Sequence, residues 1–414
     1  MEDEEACRAS KKPRGGADSG LTVFALRLAK QLAQGACKDG GKDAGKNILF
    51  SPVSIYSALA LVAAGARGDT LDELLAVLGA ASRDELAELV RGVAESALAN
   101  RRRGPRVAFA WGLWHEKTVA MKPAYRAVAA KSYKAEIRDA DFLSKAGEAR
   151  KEINNWVSKT TKRLITSILP PKSVNRFTRL VITNVIYFKG AWKTAFLQSN
   201  TEDRLFYRLD GSHVRAPFMR SREDQFMEQY RGFKVLKLPY CQHSTDASSQ
   251  SFSMVIFLPD DRDGLPSLVE KMASEPSFLW DHLPKSRGKV DQFRLPKFKV
   301  SFSSDIKDVL KVMGIKTAFD QRADLTDMLQ KKKAKLPVMQ VDLYVEKVIH
   351  QAVIEVNEVG TEAVVSTGCS SRVKQCARRG PDFVADHPFV FFVVEEVCGA
   401  IVFMGHVLDP TKSE

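Results

Sequence analysis

Apolar residues return at helical spacing at Leu21, Phe24, Ala25, Leu28 and Leu32, which predicts a first amphipathic helix. A Gly/Lys/Asp loop over 35–46 leads to a short buried strand over 47–50. Ser51 then caps, and Pro52 opens, a second helix. That helix is apolar almost all round (Ile55, Ala58, Leu59, Leu61, Val62) and so belongs at the centre of the molecule. Asp69-Thr70 opens a helix that Gly79 stops, and Ser82 with Glu85 three residues on forms a capping box. From Arg106 the period changes to two, with Val107, Phe109, Trp111 and Leu113 alternating. Helical spacing returns over 146–164 and is closed by Pro170-Pro171. Strand-like runs follow at 180–188, 233–238, 252–258, 293–302, 338–356, 389–394 and 400–407, with a late helix over 305–313. Helices lead and strands dominate the second half, which predicts an α+β fold. Residues 1–20 are polar and charge-mixed and predict a disordered tail. No linker divides the rest, so 21–414 reads as one domain.

The segment after the 338–356 run has an unusual parity. Thr361, Ala363, Val365, Thr367, Cys369, Ser371 and Val373 carry no charge and no large side chain. Every charge from 360 to 374 (Glu362, Arg372, Lys374) falls on the other parity, and no proline interrupts before Pro381. Composition alone describes a surface loop of the kind proteases cut. A solvated loop, however, has no reason to keep one face free of charge and bulk. A segment that must enter a sheet as a central strand does.

Composition narrows the classes. The chain has 414 residues, 44% apolar and 27% charged, which excludes a disordered chain, a collagen and a disulfide miniprotein. The longest apolar stretch, around 55–66, is too short to span a bilayer. Lysine and arginine outnumber aspartate and glutamate by 63 to 50, a net +13, and that excess favours acidic partners. Its local clusters are Arg101, Arg102, Arg103 and Arg106, and Lys331, Lys332, Lys333 and Lys335. No nucleic-acid motif surrounds either, so both read as solvated surface, with a polyanion site as the sharper alternative. The six cysteines form no C-x-x-C pair and no disulfide framework. The acidic start has no apolar core before Leu21, which predicts an intracellular (cytoplasmic or nucleocytoplasmic) compartment and leaves an extracellular one open. Lys11-Lys12-Pro13-Arg14 is at most a weak nuclear address. The seven histidines are not spaced as metal ligands, and no G-x-S-x-G, Walker or G-x-G-x-x-G motif is present. The reading expects no enzyme activity, no metal, no cofactor and no membrane partner.

Several separated motifs resemble the serpin family, most closely its plant Z-type members. They are Asn47-Ile48-Leu49-Phe50-Ser51-Pro52, Thr183-Asn184-Val185-Ile186-Tyr187-Phe188-Lys189-Gly190-Ala191-Trp192, Leu295-Pro296-Lys297-Phe298 and Phe383-Val384-Ala385-Asp386-His387-Pro388-Phe389. The resemblance implies about nine helices around a large central mixed sheet, two further sheets and an exposed reactive-centre loop over about 358–383. It implies a monomeric suicide inhibitor: a protease cleaves the loop, is held as an acyl-enzyme, and stalls when the loop inserts into the large sheet. In the family pattern the residue that fills the protease's primary pocket follows the hinge glycine by fourteen. From Gly360 that count gives Lys374, a reactive bond Lys374–Gln375 and a trypsin-like serine protease as covalent partner, with Arg372 as the rival residue. A cysteine protease of the same preference also fits. The hinge would be Glu358, Gly360, Thr361, Glu362, Ala363, Val364 and Val365. Ser51, Ser54, Asn184 and His350 match a polar cluster where the central strands part, and Trp192 matches the site of first insertion. The hinge departs from the family in its two valines, Val364 and Val365, where small residues are usual. The alternative they raise is a non-inhibitory member, cleaved as a substrate and serving in binding or storage.

Overall fold

The computed structural model describes residues 20–38, 45–98, 105–163, 165–242, 250–330, 343–361 and 380–413. Among these the chain forms nine α-helices and three sheets of seven, six and four strands, an α+β fold as expected.

Local sequence explains the framework. Helix Pro52–Ala63 starts where the Ser51 hydroxyl accepts from the Ser54 amide, and all twelve of its residues are buried. Gly79 ends helix Gly68–Leu78 at φ 64°, a left-handed stop that glycine adopts freely. Ser82 caps the next helix by accepting from the Glu85 amide at 3.2 Å. The Glu85 carboxylate reaches the Ala81 amide instead of that of Ser82, so the box closes one residue early.

Some boundaries move. The 146–164 helix runs Phe142–Thr160, because Asp141 caps it by accepting from the Ser144 amide. The 293–302 run is two strands, Phe293–Pro296 and Phe298–Asp305, in different sheets. Strand Lys347–Val356 is shorter than its 338–356 pattern. Helix Pro123–Tyr133 escapes the pattern because it buries only Tyr125, Ala129 and Tyr133, a stripe that is two-thirds tyrosine.

The six-stranded sheet organises the rest. Two of its strands, Leu180–Ala191 and Lys347–Val356, are called here the gap strands. The first is antiparallel to Arg106–Glu116 over ten pairs. The second is antiparallel to Phe298–Asp305. The two lie parallel to each other, Lys347 opposite Val181 through Val353 opposite Tyr187. Even-numbered side chains (Leu180, Ile182, Ile186, Val348, Ala352, Ile354) face the main core with helix Pro52–Ala63. Odd-numbered ones (Val181, Val185, Ile349, Val353) face a second core under helix Phe142–Thr160, with Trp114, Ile153 and Trp156. That helix covers the middle of the gap from outside.

Candidate functional site: a sheet gap and its hinge

At one end of the gap, the chain beyond Val356 turns back and wedges two residues between the gap strands. In this hinge stub, Gly360 pairs antiparallel with Ala191 and Thr361 with Gly190, while Thr361 also pairs with Val356. Glycine is required at 360. Its φ is +156°, and a Cβ there would overlap the Gly190 carbonyl oxygen. Asn357 fastens the turn: its side-chain oxygen accepts from the amides of Val359 and Gly360, at 3.0 and 3.2 Å.

Aromatic and charged groups clamp the stub. Trp192 donates its indole N–H to the Asn357 carbonyl at 2.9 Å, and its amide donates to the Val359 carbonyl. Its ring stacks on Tyr240, with centroids 4.6 Å apart. The Tyr240 hydroxyl bonds the Thr361 hydroxyl at 2.6 Å, and burial pushes its pKa far above the usual phenol value. Glu358 is nearly buried. Burial opposes its charge, but hydrogen bonds from Thr201 at 2.8 Å and the Lys297 ammonium at 3.0 Å outweigh that and lower its pKa.

Midway along the gap, four polar residues meet. The Asn184 side-chain oxygen accepts from the Ser54 hydroxyl at 2.5 Å and from His350 Nδ1 at 3.0 Å, while its amide donates to the Ser54 carbonyl. His350 Nε2 accepts from the Ser51 amide at 3.1 Å. This network fixes a neutral imidazole, and burial pushes its pKa down to about 3. Asn184 and His350 sit opposite each other on the two gap strands, so their bond spans the seam.

Ser51, Ser54, Asn184 and His350 thus meet at the seam, and Trp192 lies against the stub. Of the expected hinge residues, Glu358, Gly360 and Thr361 lie in this turn and stub. Glu362, Ala363, Val364, Val365, Arg372, Lys374 and Gln375 lie outside the described residues, as do Cys369, Cys376 and both basic clusters except Arg106. Sequence reading missed Trp111, which donates to the Ser54 hydroxyl at 2.7 Å, and Tyr240, Thr201 and Lys297. The only signal for Trp111 was its inward parity, since its partner in the sheet, Asn184, lies 73 positions further along the chain. No cluster able to hold a metal, and no helix long and apolar enough to cross a membrane, occurs among the described residues.

Residues 19–410 match the family model described as serpin (serine protease inhibitor). Serpin-Z2A of Oryza sativa subsp. japonica is 52% identical over 95% of this chain and 97% of its own length. Serpin-Z1C of Triticum aestivum is 42% identical over 95% and 96%. The solved structure of Arabidopsis AtSerpin1, in its native stressed conformation, superposes with a TM-score of 0.85 at 37% identity, covering 98% of this chain and 100% of that one.

Proposed function

Because the chain belongs to the serpin family, and so to the protease inhibitors, we propose that it traps trypsin-like serine proteases through cleavage at Lys374–Gln375. Residues 21–414 would act as the single inhibitory domain. The observation that carries the reading is the hinge stub: the loop's first two residues are already hydrogen-bonded as a central strand, above a seam that is closed by direct pairing of the gap strands.

Extending that register gives the inserted state. Each residue down the loop moves one residue back along Leu180–Ala191 and one back along Lys347–Val356. Ala363 comes opposite Phe188 and Ile354, Val365 opposite Ile186 and Ala352, and Thr367 opposite Asn184 and His350. The odd-numbered residues then enter the main core, which is the charge-free face. In the middle of the gap the even-numbered ones, Ser366, Gly368 and Ser370, pass beneath the covering helix, and they are small. Thr367 would bring a hydroxyl to the polar cluster as the Asn184–His350 bond parts. A lysine at 374 suits a pocket with an acidic base, where a desolvated cation needs its partner.

The second reading, a member cleaved without trapping, is favoured by Val364 and Val365. If insertion is slow, the acyl-enzyme hydrolyses first. The test is incubation with trypsin at several molar ratios, read by denaturing gel and mass spectrometry. Trapping gives a band near the summed mass and a fragment beginning at Gln375. Complete cleavage without that band supports the substrate reading, and cleavage at Arg372 overturns the register.

A further inference from the structure

The connection between helix Phe142–Thr160 and gap strand Leu180–Ala191 has features that inhibition does not use. From Lys159 to Arg179 the chain carries six cations (Lys159, Lys162, Arg163, Lys172, Arg176, Arg179) and no carboxylate. All but Arg179 are exposed, and none is ion-paired among the described residues. The connection is also firmly built. Buried Asn154 accepts from the amides of Ile168 and Leu169 at 3.0 and 2.9 Å, and both Asn154 and Arg150 donate to the Leu169 carbonyl. Lys162, Arg163 and Lys172 hold left-handed φ values of 53°, 66° and 66°, a region such residues avoid unless their surroundings impose it. The Arg176 guanidinium lies 5.4 Å over the Phe177 ring, and that ring is 65% exposed. Leu143, 45% exposed, is tethered to the same end. Its amide donates to the Glu116 carboxylate, and the Glu116 amide donates to the Arg179 carbonyl.

We propose that this connection is a docking surface for an anionic lipid bilayer, with the cations on headgroup phosphates and Phe177 and Leu143 seated beneath them. Unpaired cations beside large exposed apolar side chains are what such an interface takes up. A single exposed ring offers no platform for the successive bases of a nucleic acid. This departs from the expectation of no membrane partner, which rested on the absence of a spanning segment. The sheet gives the surface a direction. Strand Leu180–Ala191 starts at this connection and ends beside the Gly360–Thr361 stub, so docking leaves that stub at the far end of the strand. In the inserted register Lys374 comes opposite position 177, after a descent of about 43 Å at the usual strand rise. An acylated protease would therefore arrive at the lipid-facing residues and displace the bilayer. This displacement rests on the trapping reading; the docking surface does not.

The test uses the full chain and vesicles of phosphatidylcholine with or without phosphatidylserine. Co-sedimentation is expected only with phosphatidylserine. The triple variant Lys162→Glu, Lys172→Glu, Arg176→Glu should weaken it at least about 100-fold, at about fivefold for each cation lost near an anionic surface. Phe177→Ser should weaken it by a step that added salt does not change. Both variants should keep the wild-type unfolding midpoint, because the substituted positions are exposed and lie outside the sheets. A wild-type chain that ignores phosphatidylserine vesicles, or that binds soluble polyphosphate in preference to them, overturns the docking surface. Trypsin added to the vesicle-bound protein should move the covalent complex into the supernatant, and a complex that sediments overturns the displacement. If no covalent complex forms, trapping has failed, and the first two arms still decide the docking surface.

Discussion

His350 holds the seam by staying neutral. It accepts from Ser51 and donates to Asn184, so a second ring proton would break the Ser51 bond and bury an unpaired charge. The unfolded chain takes up that proton near pH 6.5, whereas the folded chain resists it down to about pH 3. Unfolded chains therefore bind more protons in that window, and stability falls as the pH drops through it. Burial also lowers the pKa of His115, and that of His406 to about 4, and both act in the same direction. The comparison must therefore be with His350→Gln, whose unfolding midpoint should fall less between pH 7 and pH 4 than the wild type's; parallel curves would sink the idea. Asn184→Ala leaves the Ser54 hydroxyl and His350 Nδ1–H without their acceptor. At about 1–3 kcal/mol for each buried orphan, denaturant unfolding should show a loss of roughly 2–6 kcal/mol. Glu358→Gln should weaken the Lys297 contact and loosen the stub, read as faster spontaneous loss of inhibitory activity on warming.

At the scale of the element, the proposed register would make Val365 less obstructive than its volume suggests. There it would face Ala352 on one side, so a small neighbour would offset its bulk, and valine itself suits a strand. Val365→Ala should then change the fraction of trypsin trapped only slightly, while Ala352→Leu should cost roughly 1–3 kcal/mol of overpacking on insertion and shift the outcome toward cleaved substrate. Titrating both variants against trypsin checks the pair, and equal behaviour would overturn the register. The parity that made the loop stand out was legible in the sequence because alternation is local. What it faces was not: the covering helix, whose second core holds Val181 and Val185, lies far away in the chain. For the same reason Ser51, Ser54, Asn184 and His350 were recognised by motif, but Trp111, Tyr240 and Lys297 were not. Their roles depend on register between segments distant in the sequence. The split of the 293–302 run at Lys297 left a trace, since the apolar positions change parity across it, from Phe293 and Leu295 to Phe298 and Val300, but the change of sheet there was not legible.

At the scale of the molecule, the helices and strands with strong periodicity emerged near their predicted bounds, and the order of strands within the sheets did not. Replacing Lys374 by alanine tests the whole reading at once. Loss of the buried cation should reduce the rate of trypsin trapping by roughly 10²–10³-fold, the loss expected when one partner of a desolvated pair is removed, and leave the unfolding midpoint unchanged. Cleaved wild-type protein should unfold at a higher temperature than the intact form, because the inserted strand supplies partners along both gap strands; an unchanged midpoint would mean that the loop does not enter. The two fixed ends of the loop carry a last consequence. One is the Gly360–Thr361 stub, and the other is strand Phe383–Val384, paired in parallel with Phe293–Pro296. On the proposed reading, the residues that select a protease, near 374, would lie apart from the hinge residues that begin insertion. Copies of such a gene would then diverge at positions near 374 and acquire new targets by drift, while the machinery that stops each target would be inherited unchanged.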